Sequence, residues 1–189
     1  IYTGDDDYFL ISGLEKCIEF LEKNREFIGA NGRSYNFVCD GNFSEKIKKV
    51  YLWKQTCRLE NTLYERLKFQ IQNYDVPVFS VFRKKAYLRM LDLIPSNKIV
   101  KTECPDKSIC DEILPAYSLA CLGKIYNLNN IQLIRTLHNP KNYQKSLTHD
   151  FEKIVKEKNF IISFEYLKRK ILSLIQSLEL DKINKSSIS

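Results

Sequence analysis

Phe9, Leu10, Leu14, Cys17, Ile18 and Leu21 recur at steps of mostly three and four residues, the spacing that holds side chains on one face of an α-helix. The pattern predicts a first helix from near Asp7 to Ile28. Asp5, Asp6 and Asp7 would cap it and place negative charge at the positive end of the helix dipole. Gly29 and Gly32 end it, and residues 29–42 read as a loop with one short extended piece at Tyr35 to Cys39. A second, long helix is predicted from Ser44 to about Asn73. Its apolar residues, Ile47, Val50, Tyr51, Leu52 and Trp53 among them, spread over more than one face, which predicts a central position.

Phe79, Phe82, Ala86, Met90 and Leu93 form a cleaner stripe and predict a third helix over 78–94, stopped by Pro95. Residues 95–111 are polar and read as loop. A fourth helix follows from about Glu112 to Tyr126, with Pro115 tolerated only in its first turn. Asn129 or Asn130 starts a short fifth helix, "NIQLIRTL". A sixth spans about Tyr143 to Lys158, with Leu147, Phe151, Ile154 and Val155 inward. The seventh starts at Ser163 and carries Phe164, Leu167, Ile171, Leu174, Ile175 and Leu178. The expected fold is all-α: one helical bundle of about seven helices over 1–180, with 181–189 a disordered tail.

Length and composition agree with a globular chain. It has 189 residues, 44% hydrophobic and 28% charged, enough for a core without staples. Six Gly and five Pro are few for an all-β sandwich. No apolar run approaches the ~18 residues needed to cross a bilayer, so no membrane insertion is expected. The chain opens at Ile1 without an initiator Met, which reads as a trimmed or processed product. The net charge of +7 is scattered over short groups such as "EKIKK" and "KRK", so direct nucleic-acid binding is not expected from charge.

Candidate chemistry is sparse. His138 and His149 are the only histidines, and no nucleophile elbow, paired zinc-ligand spacing or glycine-rich phosphate loop accompanies them. The acidic "GDDDY" at 4–8 reads as a solvated helix start. No catalytic residue, metal ligand or cofactor site is predicted, and the chain reads as non-enzymatic. "LACLGKIYNLNNIQLIRTL" has the outline of a helix-turn-helix, in which Gln132 and Arg135 would face outward to base edges. "FRKKAYLR" interleaves aromatic and basic residues, which reads as core Phe79 and Phe82 beside solvated cations.

Six cysteines leave the compartment open. Cys17, Cys57 and Cys121 lie inside helical patterns like small buried hydrophobes. Cys104 and Cys110 flank a short polar loop that a disulfide could close if the protein is secreted, and Asn42 and Asn184 head glycosylation tripeptides usable in the same setting.

The run from His138 to Leu178 carries the phrase Ile154-Val155-Lys156-Glu157-Lys158-Asn159 and then Ile162-Ser163-Phe164, which opens an amphipathic stretch. Together with "ILPAYSLACLGKIYNLNNIQLIRTL" upstream, residues 112–178 resemble the C-terminal part of the telomere-repeat-factor homology domain. The resemblance implies an all-helical bundle that homodimerises through its first and last helices and docks partner peptides in a hydrophobic groove. DNA is read elsewhere in that family. Phe164, Leu167, Ile171, Ile175 and Leu178 would form the core stripe, and Leu174 would widen it toward a partner helix. The expected function is a protein interaction and dimerisation module, nuclear or cytoplasmic. The alternatives are a secreted or surface helical protein bound to a host receptor and, more weakly, a helix-turn-helix nucleic-acid binder.

Overall fold

A computed structural model describes residues 7–39, 47–54, 57–95, 102–106, 109–138 and 158–186. Its described elements are five helices and five strands in one mixed sheet. The all-α expectation is therefore corrected to mixed α/β, and with it the helical bundle that the resemblance implies. The chain divides into two compact units, one built from residues 1–61, 77–83 and 123–151, the other from 62–76, 84–122 and 152–189.

The first unit holds the sheet. Strand β1 (Asp7–Phe9) leads into helix α1 (Ile11–Lys23), which returns the chain to the long strand β2 (Phe27–Cys39). Strand β3 (Ile47–Lys54) pairs antiparallel with the C-terminal half of β2, and β4 (Val81–Phe82) pairs antiparallel with Gly29 and Ala30 on β2. Strand β5 (Lys124–His138) runs parallel to β2 along its other edge and antiparallel to β1. β2 is therefore interior, and this explains why a segment reading as loop is a strand. Its Asn31, Ser34 and Asn36 are buried but bonded, Asn31 to Ser80 and Ser34 to Asn36. A polar residue in a central strand costs little when its hydrogen bonds are made.

The predicted first helix is shorter at both ends. α1 begins after Leu10, which makes no side-chain cap, and Asp7 lies in β1 rather than at a helix start. Cys17 and Leu21 of α1 pack on Ala30 of β2, with Phe20, Phe27, Val81 and Leu128 around them. Arg83 meets carbonyls at the end of α1 and the start of β2: Nε donates to Phe27 O, and an amino group donates to Leu21 O and to Asn24 O. The predicted second helix divides. Its first part, rich in β-branched and aromatic residues, is β3, which explains why its apolar positions spread over both faces.

The second unit is helical. α2 (Leu63–Gln72) starts at Thr62, whose hydroxyl accepts from Glu65 N while the Glu65 carboxylate accepts from Thr62 N, a reciprocal cap. α3 (Lys84–Leu91) is the surviving part of the predicted third helix, whose start is instead a 3₁₀ turn (Pro77–Phe79) and β4. A π turn (Ile109–Ile113) opens α4 (Leu114–Leu122), which places Pro115 in the first turn and is buried along most of its length. Arg66 of α2 closes the far end of α4, donating to Ala120 O and Cys121 O.

α5 (Lys158–Ser186) starts five residues before Ser163 and continues through residues read as tail. Its Tyr166 and Leu167 pack with Ile109 and Leu114. Past Gly123 the chain turns to β5, so the predicted fifth helix is a strand, and the helix-turn-helix outline falls with it. Gln132 is buried at 1% exposure and spends its amide inside the sheet, accepting from Gly32 N and donating to Phe79 O. The predicted sixth helix, apart from Lys158, lies outside the described residues.

Candidate phosphate-binding face

Cross-strand partners share a sheet face. The register places Asp7 opposite Arg135, Arg135 opposite Asn36, and Asn36 opposite Tyr51. One row across β1, β5, β2 and β3 therefore reads acid, base, amide, phenol. The next row on that face reads Phe9, Leu133, Ser34 and Trp53. These rows lie toward the carboxyl ends of the parallel strands β2 and β5, where ligands of α/β sheets collect.

Arg135 is the centre of the face. Its Nε donates to Asp7 Oδ1 at 3.0 Å. The Asp7 side chain is 4% exposed and the Arg135 side chain 24%. The guanidinium carbon lies 4.4 Å from the ring centre of Phe79 and 6.0 Å from that of Trp53. Aromatic walls and a buried carboxylate thus hold the side chain in one orientation. The terminal amino groups of Arg135 bond to nothing among the described residues. β3 carries another cation on this face: Lys49 Nζ is 5.5 Å from the ring centre of Tyr51, itself part-exposed. In the same rows Ser34 Oγ donates to Asn36 Oδ1 at 2.8 Å, and both residues are buried.

The acidic run therefore differs from its expected role. Asp7 anchors an arginine instead of capping a helix. Asp5 and Asp6 lie outside the described residues. Arg135 was singled out as a base reader on a helix, and the structure keeps the residue but moves it to a strand. Trp53 and Tyr51 were read only as apolar positions, and the two-residue periodicity of β3 was the signal that could have placed them on one face.

The predicted interaction residues fall on α5 and divide. Leu167 and Leu174 are buried, Ile171, Ile175 and Leu178 are half-buried, and Phe164 is 48% exposed. Leu174, expected to widen the stripe toward a partner, is core. Cys104 and Cys110 are brought together as a disulfide in the second unit. Cys17, Cys57 and Cys121 are free, and burial pushes the Cys17 and Cys121 thiols up to about 12. Cys57 is half-buried, and its sulfur accepts from Asn127 N at 3.3 Å. The side chain of His138 and the whole of His149 lie outside the described residues. Among the described residues no group of three metal-ligating side chains converges, and no helix is long and apolar enough to cross a membrane. No family model, curated protein or solved structure matches the chain.

Proposed function

We propose that the first unit binds a phosphorylated ligand carrying a flat ring, a nucleotide in its simplest form, on the face of Asp7, Arg135, Asn36 and Tyr51. The observation that carries this reading is Arg135: Nε is fixed by a buried carboxylate, while no group among the described residues bonds to its two terminal amino groups. A planar fork held in that way suits two oxygens of one phosphate. Lys49 supplies a second positive charge, and Tyr51 and Trp53 supply faces on which a ring can stack. The reading is of a binding site, and no catalytic group is assigned.

Trp53 is the only tryptophan, so its fluorescence reports this face directly. Titration with nucleoside diphosphates, with and without Mg²⁺, is expected to change that fluorescence to saturation. Arg135→Gln is expected to weaken binding by roughly 10- to 100-fold, the worth of a charge-assisted hydrogen bond. A flat titration up to millimolar ligand, or equal affinity in a folded Arg135→Gln protein, sinks the reading.

A second reading is favoured by α5. Ile161, Phe164 and Leu172 are each about half exposed and share a face with Lys168 and the half-buried Ile175. Pairing of that face with a second copy of the chain supports an interaction module. It is put forward without a telomere or chromatin setting, because the all-helical fold behind that setting is replaced. Sedimentation should show a concentration-dependent dimer that Phe164→Asp with Leu172→Asp abolishes. A monomer at all concentrations removes this reading and leaves the first untouched.

A further inference from the structure

We propose that the Cys104–Cys110 disulfide is a redox-dependent fastening that holds helix α5 to the rest of the second unit. The proposal stands apart from the ligand reading of the first unit. The bridge is part of a small core: Cys104, Ile109, Cys110 and Leu114 pack with Tyr166 and Leu167 of α5. The same segment reaches α5 twice more. Asp106 N donates to Ser163 Oγ at 2.8 Å, and Arg169 pairs with Glu103 at 2.9 Å. Ser163 is fully buried, so its hydroxyl depends on that backbone partner. The bridge therefore closes the loop that carries Asp106, ties down the chain next to Glu103, and supplies part of the apolar contact with α5. Without the bridge, residues 102–110 gain chain entropy, and the hydrogen bond, the ion pair and the packing loosen together.

Opening the fastening is a two-electron exchange. A thiolate of a small dithiol attacks one sulfur and displaces the other as thiolate. The second thiol of the reagent then resolves the mixed disulfide. Cys104 and Cys110 end as two thiols, and the dithiol ends as its own cyclic disulfide. Both cysteines are 0% exposed, so attack has to wait for the loop to open. Reduction is therefore gated by local unfolding. Such a bridge persists in an oxidising compartment, which supports the secreted or surface alternative.

The test uses the full chain with dithiothreitol as the probe. Peptide mapping after alkylation under denaturing, non-reducing conditions should find Cys104 and Cys110 unlabelled. The rate of reduction should level off as dithiothreitol rises, because opening becomes limiting. In the reduced protein, amide exchange around 163–171 should quicken at least tenfold, while the strands of the first unit stay unchanged. Cys104→Ala with Cys110→Ala should match the reduced protein and ignore the reagent. If that variant fails to fold, reduction of the wild-type chain still decides the matter. Free thiols at Cys104 and Cys110, a rate proportional to reagent throughout, or α5 amides indifferent to reduction would each overturn the proposal.

Discussion

Gly13 gives the sharpest test of how α1 sits on the sheet. It is buried on the inner face of α1, and a Cβ built there would lie 2.5 Å from Ile131 O and 2.6 Å from Gln132 Cα. Those are backbone atoms of β5, which cannot rotate away. Helix and strand would have to separate by roughly 1 Å to reach van der Waals distance. That movement loosens the contact of Cys17 and Leu21 with Ala30. Overpacking of this kind costs ~1–3 kcal/mol, and a rigid wall argues for the upper end. Against it, Ala is the better helix former by ~1 kcal/mol. Gly13→Ala should thus destabilise the first unit by about 2 kcal/mol, although propensity alone predicts a gain. For a unit of roughly a hundred residues, each kcal/mol lowers the midpoint by about 4–8 °C. Trp53 lies in this unit and is the only tryptophan, so thermal or urea unfolding followed by its fluorescence isolates the effect. Glu15→Ala, at an exposed position of the same helix, is the control and should move stability by under about 0.5 kcal/mol. An unchanged or raised midpoint for Gly13→Ala would show that α1 does not rest backbone to backbone on β5.

The remaining predictions concern local chemistry. Thr62→Ala should cost about 1 kcal/mol of stability in the second unit by removing the cap of α2, read by urea denaturation. Glu65 is held below its ordinary pKa first by its hydrogen bonds to Thr62. A lowered carboxylate adds stability above its unfolded pKa and loses it as pH falls through the folded value. Thr62→Ala should therefore move the Glu65 titration back up, seen by carboxyl NMR, and flatten the acid limb of stability. Native alkylation at pH 8 should label Cys57 well before Cys17 and Cys121, whose thiols are pushed to about 12 by burial. Equal labelling of all three would contradict that burial.

What the sequence made legible is what three-to-four spacing alone determines. The body of α1, the α3 stripe of Ala86 and Met90, and the apolar rows of α5 all appear as helix in both readings. The capping box at Thr62 to Glu65 was present in the letters and marks where α2 begins, yet the apolar run before it hid the boundary. Ile47 to Trp53 and Ile125 to Ile134 are dense in β-branched and aromatic residues. Dense apolar runs fit either period, and strand propensity was the arbiter that a helical reading set aside.

The least legible part is the middle of the sheet, and the reason bears on function. β2 carries Asn31, Gly32, Ser34 and Asn36, a composition that marks loops because such residues bond to nearby backbone. Here the same capacity is turned inward. Asn127 Nδ2 donates to Asn31 Oδ1, Asn31 Nδ2 to Ser80 Oγ, and Gln132 to Phe79 O, so the polar groups bridge β2, β5 and the turn before β4. A network of this kind is stable only when its members are matched across strands far apart in sequence, which no local window can see. It also fixes the register of β2 against β5, since a slip of one residue would carry Asn36 and Arg135 to different faces. The row of Asp7, Arg135, Asn36 and Tyr51 exists only in that register. The buried amides that hid the fold from sequence reasoning are thus the same groups that align the candidate phosphate-binding face.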